Sequence, residues 1–367
     1  MQPLFDRTRL SIKPLHARQS KSDTSCMLSP SPIPPNQIPK ESLKSLERVV
    51  AAIREARKNK APVMLAYGAH LFKNGLAPLA IQLMEQGHIQ HLATNGAGSI
   101  HDWEMAFQGK TEEDVKHYIQ QGQFGIWQET GGFLNLAVTL GTAQGLGYGA
   151  SVGKMIAEDR LLIPDMQELR TEIIQLLESP SASNLLARKS NLLHWLQTFP
   201  TASGSIAIPH PWKQFSIQHK AYELNIPFSV CPGIGADIIY THPWNSGCAI
   251  GEGAVQDFLS FADSVSKLEG GVFLSVGSAV MAPMIFEKAI SMSRNLALQE
   301  HRFLENYHIF VIDIQPGSWD WHQGEPPKNH PAYYLRFCKS FSRMGGKFEY
   351  LEMDNRLFFQ YLCQELN

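Results

Sequence analysis

Four short segments set small residues at the end of an apolar run: Gly68-Ala69-His70, Asn95-Gly96-Ala97-Gly98-Ser99-Ile100-His101-Asp102, Cys231-Pro232-Gly233-Ile234-Gly235-Ala236-Asp237 and Gly277-Ser278-Ala279. Glycine lets a backbone come close to a phosphate, and the free N–H groups that open a helix attract an anion. The recurrence therefore suits a pyrophosphate-bearing dinucleotide better than a metal, with His70, Asn95, Gly96, Ala97, Gly98, Gly277 and Ser278 as the candidate cofactor contacts. Any one of these turns alone reads as an ordinary structural turn, and a strict GxGxxG followed by an acid about 20 positions later is absent.

Three ionisable residues stand beside these turns. His101 has the chemistry to move a proton near neutral pH, and Asp102 next to it either meets a ligand or caps a helix. Asp237 lies among Ile234, Ile238 and Ile239, where an unpaired carboxylate is costly, so a cationic ligand or a cap is expected to satisfy it. Two His-Pro-Trp tripeptides occur, at His210-Pro211-Trp212 and His242-Pro243-Trp244, and Gly317 to His322 adds further rings. The first reads as a rigid proline turn. In the second, His242 and Trp244 follow Asp237 closely and offer an aromatic lining for an alkylammonium chain. The histidines lack HExxH or HxH spacing, so no metal site is expected.

The elements that would carry these loops alternate. An amphipathic helix from Glu41 to Ala56 is followed by an apolar run at 62–67 and a helix at 76–84. A second run at 89–94 leads into a helix at 99–107, and the same cycle returns at 226–230, 272–276 with a helix at 282–296, 309–314 and 348–352, closing with a helix at 356–366. The runs are continuously apolar, not alternating, which predicts strands covered on both faces. An α/β class with a doubly wound, mostly parallel sheet follows. The glycine-rich stretch 120–155 reads as loops around short helices near a site.

Composition bounds the rest. With 44% hydrophobic and 18% charged residues the chain of 367 is globular in type, and 32 basic against 34 acidic residues give a net charge of -2 that offers nucleic acid no attraction. No apolar run approaches the roughly 20 residues that span a bilayer, so no membrane partner is expected. The five cysteines are odd in number and without CxxC spacing, which suits reduced thiols and a cytoplasmic location. Residues 1–40, rich in Ser and Pro, read as a flexible arm ahead of a single domain at 41–367.

The strings Thr94 to Asp102 and Ser216 to Phe228, the second continuing through Cys231-Pro232 to Asp237-Ile238-Ile239-Tyr240-Thr241-His242, resemble two landmarks of deoxyhypusine synthase. The resemblance implies a Rossmann-like, NAD-binding fold, a polyamine or other small amine as substrate, aminobutyl-type transfer or hydride transfer, and a homo-oligomer, dimer or tetramer. It also places Asp313 and Asp354 at strand ends that face the cofactor and Asp237 at an acidic substrate-binding position, and it expects an acid where a histidine stands in the glycine turn; the residues themselves add Asp102, His242 and Trp244 as candidate substrate contacts and His101, with Asp237, as a candidate catalytic residue. Two departures stand out. Pro283 lies near the position of a family histidine, and no Trp-Gly-Lys supplies an imine lysine, for which Lys339 is the nearest substitute. The alternative is a noncatalytic nucleotide-binding or assembly protein that has lost the transferase reaction.

Overall fold

The computed structural model describes residues 4–34, 38, 40–178, 183–317 and 319–367. They fall into two compact units, Met1–Ser25 with Ser99–Glu223 and Pro232–Asp257, and Cys26–Gly98 with Leu224–Cys231 and Phe258–Asn367.

The second of these is a sheet unit. Its six strands are β1 (Val63–Tyr67), β2 (His91–Asn95), β3 (Phe228–Cys231), β4 (Val272–Val276), β5 (His308–Asp313) and β6 (Lys347–Glu352). Their spatial order is β6-β5-β4-β1-β2-β3, and every pairing is parallel. Each strand falls on one of the apolar runs. β1 and β4 are buried along their whole length, so the runs read as covered strands because both of their faces are covered.

Side chains alternate between the two faces. Met64, Ala66 and Phe273 join a core with Phe261, Phe286 and Phe341, supplied by residues 258–266 and by the helices Met281–Gln299 and Arg336–Ser342. Helices Lys40–Lys58 and Asn355–Glu365 contact the sheet as well, and Leu46, Val49, Val50, Ile53 and Ala56 form the buried stripe of the first. The sheet is thus doubly wound, and its order is that of a Rossmann sheet, which reverses between β1 and β4.

The other unit is mainly helical, with Gln128–Ala143, Tyr148–Glu158, Met166–Leu177, Ser183–Thr198 and Ile217–Glu223. Two short antiparallel ribbons complete it, Ser20–Asp23 with Lys110–Glu113 and Arg160–Ile163 with Gly204–Ala207. The stretch 120–155, read as loops, is instead largely these first two helices. Its glycines serve close packing: an added Cβ on Gly131 would stand 2.7 Å from the His242 side chain, on Gly141 2.0 Å from Ser151 Oγ and on Gly153 2.7 Å from the Gln218 carbonyl oxygen.

The N-terminal stretch also differs from the flexible arm that its composition suggests. Residues 20–23 are paired as a strand, Leu15 is buried, and Arg18 is 7% exposed and ion-paired to Glu104 at 2.7 Å. A few anchoring side chains outweigh a polar average. Residues 1–3, 35–37 and 39 of that stretch lie outside the described ones. No helix among the described residues is long and apolar enough to cross a membrane.

Candidate functional site

The reversal of strand order places the carboxyl ends of β1 and β4 side by side. They meet without side chains between them: a Cβ on Gly68 would stand 2.3 Å from the Gly277 carbonyl oxygen. Gly277 has φ 57, a left-handed conformation that favours glycine, and a Cβ placed on it would meet nothing within 4 Å. Backbone bonds from Gly68 N to the Val276 carbonyl at 3.3 Å and from Gly277 N to that of Ile312 at 3.0 Å lace the strand ends together.

A cleft of ≈ 510 Å³ opens along this edge, with His70, Asn74, Gly277, Asp313, Asp354 and Arg356 among its lining. Helix Met281–Gln299 begins just beyond Gly277. It has no acid in its first turn, and Val280 offers no capping side chain. Ser278 Oγ accepts from Ala282 N at 3.2 Å and is the one side chain among the described residues bonded to that end.

Asp313 ends β5, the neighbour of the strand that carries Gly277. Its Oδ1 accepts from Gln315 N at 3.0 Å, and no ion pair joins it to any described residue. Asp354 is more occupied. It caps helix Asn355–Glu365 through Arg356 N at 2.8 Å and pairs with the Arg356 guanidinium at 2.6 Å, which holds its carboxyl below the usual range. Arg356, absent from the sequence reading, therefore joins the cleft as a cation.

Asn95, Gly96, Ala97 and Gly98 are at the end of β2 in the same unit but outside the cleft lining. Helix Gly96–Gln108 starts with no intervening loop, because Asn95 Oδ1 accepts from Gly98 N at 2.9 Å and caps it. Gly98 is needed for contact with Thr94, whose Oγ1 would be 2.0 Å from an added Cβ. A local packing reason accounts for this turn.

Lys339 is not in the cleft. Its ammonium pairs with Glu325 and sits 3.6 Å from the centre of the Tyr333 ring, and the bond to Glu325 raises its pKa. A lysine held in its charged form is a poor nucleophile.

The remaining candidates belong to the helical unit. His101 Nδ1 lies 2.7 Å from Thr111 Oγ1, and that hydroxyl donates to Glu104 Oε2 at 2.8 Å, so the imidazole braces the buried Arg18–Glu104 pair. Asp102 is fully buried and accepts from Ser216 Oγ at 2.6 Å, Ile217 N at 2.6 Å, Gln218 N at 3.4 Å and Gln218 Nε2 at 2.8 Å. Burial pushes its pKa to about 6 against those bonds. It caps helix Ile217–Glu223 rather than its own helix, and no part of it is exposed to a ligand.

Asp237 is different. It opens the 3-10 turn Ile238–Thr241, accepts one hydrogen bond, from Gly233 N at 2.8 Å, and has no ion pair with any described residue. Burial raises its pKa to about 6. That turn is pinned from several sides: Arg7 Nη1 donates to the Tyr240 carbonyl at 2.8 Å, Asn135 Nδ2 to that of Ile239 at 2.9 Å, and Thr241 Oγ1 to that of Gly125 at 2.8 Å.

The two His-Pro-Trp tripeptides separate by their partners. His210 is closed in, with Trp103 Nε1 donating to its Nε2 at 3.1 Å and Asp159 3.3 Å from its Nδ1. In His242, Nδ1 accepts from Trp244 N at 3.2 Å, so Nε2 carries the proton of the neutral ring, and this buried Nε2 has no hydrogen-bond partner among the described residues. Trp244 stands edge-on to it at 5.4 Å. The sequence reading did not single out Tyr148 or Tyr240 as functional; the Tyr240 hydroxyl is likewise buried and without a hydrogen bond among the described residues, and Tyr148 is buried beside Ser99, but a lone tyrosine carries no spacing signal. Of the Gly317 to His322 segment, Ser318 lies outside the described residues.

No protein-family model and no curated protein matches the chain. Among solved structures, the ternary complex of AgrE with ornithine and NAD+ is similar over 90% of this chain and 34% of its own, at 13% identity and a TM-score of 0.44. ArgZ, an arginine dihydrolase from the ornithine-ammonia cycle in cyanobacteria, is similar over 90% and 33% at 12% identity and 0.41. A conserved LOR/SDH protein from Methanococcus maripaludis S2 is similar over 91% and 73% at 13% identity and 0.42. The chain spans about a third of the length of the first two. Likeness at this level assigns it no ligand and no reaction.

Proposed function

We propose that the sheet unit binds NAD along the carboxyl edge of its strands and that the protein acts on a small amine, for whose cationic end Asp237 is the candidate holder. The observation that carries the reading is Gly277. It stands where strand order reverses, in a conformation suited to glycine, with open space before it and the amino end of a long helix beyond. In a sheet of this order the crevice at that reversal is where a dinucleotide binds.

The residues fit the group. A cleft of ≈ 510 Å³ is within the ordinary range for a small-molecule site. Asp313, at the end of the adjacent strand, has the acceptor oxygens for a ribose, and Arg356 is held in the same lining by its pair with Asp354. NAD when bound would accept or give the hydride; Asp237 would hold the cationic end of the substrate. The resemblance to deoxyhypusine synthase supports an amine of the polyamine type and a homo-oligomer, dimer or tetramer. The occupied Lys339 gives no support to a covalent aminobutyl transfer.

Thermal melting with saturating NAD tests the reading. A ligand at 100 times its Kd adds about 2.7 kcal/mol of stability, so a rise of several degrees is expected, together with a much smaller rise in Gly277→Ala. No shift in the wild-type protein would overturn it. A noncatalytic nucleotide-binding or assembly protein is the second reading, favoured by the missing nucleophile. It predicts NAD binding without turnover across a panel of amines.

A further inference from the structure

The sheet unit has a second cavity, at the far end of helix Met281–Gln299 from Gly277. It measures ≈ 460 Å³, ample for a small molecule, and Arg294, Leu298, Phe303, Glu305, Gly345 and Gly346 are in its lining. Arg294 is half-buried. Its Nε donates to the Leu304 carbonyl at 3.1 Å and its Nη2 to the Tyr307 hydroxyl at 2.9 Å, which itself donates to the Met344 carbonyl at 2.7 Å. These bonds fix the guanidinium and occupy two of its five N–H groups. No carboxylate pairs with it among the described residues, so the cavity holds a positioned cation without an anion.

Backbone completes the polar end. Gly345 and Gly346 are both left-handed, with φ 79 and 70, and neither N–H donates to a described residue. A Cβ on Gly345 would stand 2.5 Å from Arg294 Nη2, and one on Gly346 2.5 Å from the Tyr307 ring, so glycine is what lets the chain lie against the guanidinium. Successive amides free in such a turn form a concavity for an anion. The last carbonyls of helix Met281–Gln299 would repel one, but they are engaged: that of Ala297 accepts from Arg302 N at 2.8 Å and that of Leu298 from His301 N at 3.3 Å. The rest of the wall is apolar, with Phe303 74% exposed and Leu298 beside it in the lining.

We infer that this cavity binds a monocarboxylate with an apolar chain, Arg294 taking the two oxygens and Leu298 and Phe303 covering the chain. The site lies apart from the carboxyl edge of the strands and does not depend on the cofactor reading. A guanidinium fork matches the paired oxygens of a carboxylate, and its bonds to a charged acceptor are the strong ones. Glu305 is the one acid in the lining and tells against a dianion such as phosphate, which it repels more strongly than a single charge. Arg302, the other cation there, is taken up by Glu300. The competing reading makes Arg294 a brace for Leu304 and Tyr307 alone, and it gives an acid no advantage over an uncharged ligand of the same shape.

Isothermal titration of the whole protein with the straight-chain acids from propionate to octanoate, each paired with the alcohol of equal length, and with inorganic phosphate decides between them. Each acid is expected to bind at least about tenfold more tightly than its alcohol, and each added methylene to gain up to about fourfold. Arg294→Gln is expected to remove the preference for the acid. Phe303→Ala, at an exposed position, is expected to flatten the dependence on chain length with little change in melting temperature, and it decides the matter if Arg294→Gln impairs folding. No binding by any acid, an alcohol bound as tightly as its acid, phosphate bound more tightly than octanoate, or acid binding that survives both substitutions overturns the inference.

Discussion

Glu104 is 1% exposed and its two oxygens receive Arg18 Nη1 and Nη2 at 2.8 and 2.7 Å, Thr130 Oγ1 at 2.8 Å and Thr111 Oγ1 at 2.8 Å. Burial alone would raise its pKa, but the guanidinium outweighs it and the carboxyl stays below its usual range. Removing one member of such a pair leaves a buried charge, and Arg18→Met is expected to cost about 3–5 kcal/mol, read as a lower melting temperature and urea midpoint. Acid acts on other residues. His91, His210 and His242 have pKa values pushed down from 6.5, to about 3, 4 and 4, with burial as the leading cause. Their neutral forms support the fold fully above pH 6.5, and that support is lost as pH falls towards those values, because the unfolded chain takes up the protons. Asp102 and Asp237, raised to about 6, act in the opposite sense and regain stability between pH 6 and 4. Three larger shifts against two smaller ones give a net fall in melting temperature from pH 7 to 4.5, and His91→Gln is expected to make that slope shallower; a flat or rising profile would refute the assignment. Asp237 was singled out as an acid among isoleucines, and the partner found on its carboxylate is the Gly233 N–H. The role of Asp102 was not legible, since its partners Ser216 to Gln218 are more than 100 residues away and no local pattern announces a cap given to another helix.

Glycines distinguish packing from binding at the level of strands and helices. Gly98→Ala would press on Thr94 and Gly68→Ala on the Gly277 carbonyl, so both are expected to lower the melting temperature with or without nucleotide. Gly277→Ala meets no atom, carries roughly 1–2 kcal/mol of left-handed strain and puts a methyl group into the open space. Its expected signature is a modest change in melting temperature with a large loss of NAD binding, and equal losses of NAD binding in all three variants would argue that the cleft is not the site. The six strands were readable from the sequence within a residue or two; β1 and β4 are unbroken apolar runs because both faces are covered, while β6, Lys-Phe-Glu-Tyr-Leu-Glu at the sheet edge, carries a mixed pattern. Helices Gln128–Ala143 and Tyr148–Glu158 were not readable, because Gly131, Gly141 and Gly153 look like loop residues until the atoms they approach are known. Composition gives a glycine's presence and leaves its neighbour unstated.

At the scale of the molecule, neither unit is continuous in sequence. The sheet unit takes residues from 26–98, 224–231 and 258–367, so β2 and β3 are neighbours across more than 130 positions of chain and β1 and β4 across more than 200. A sequence reading that follows the order of elements finds the alternation but not the division, since the boundaries at 98–99 and 257–258 fall inside the helices Gly96–Gln108 and Gly247–Ser266. A fragment ending at residue 257 retains β1, β2 and β3 without β4, β5 and β6, and it is expected to form larger and more heterogeneous species than the full chain, as light scattering would show. The same arrangement bears on synthesis. While a ribosome is still making the middle of this chain, β1 has no neighbour on one side, and it stays that way until Val276 has left the exit tunnel. The nascent protein thus spends the time needed to add some 200 residues, on the order of 10–40 s at ordinary elongation rates, with an apolar strand edge uncovered, which makes it a natural client for whatever shields such edges in the cell that produces it.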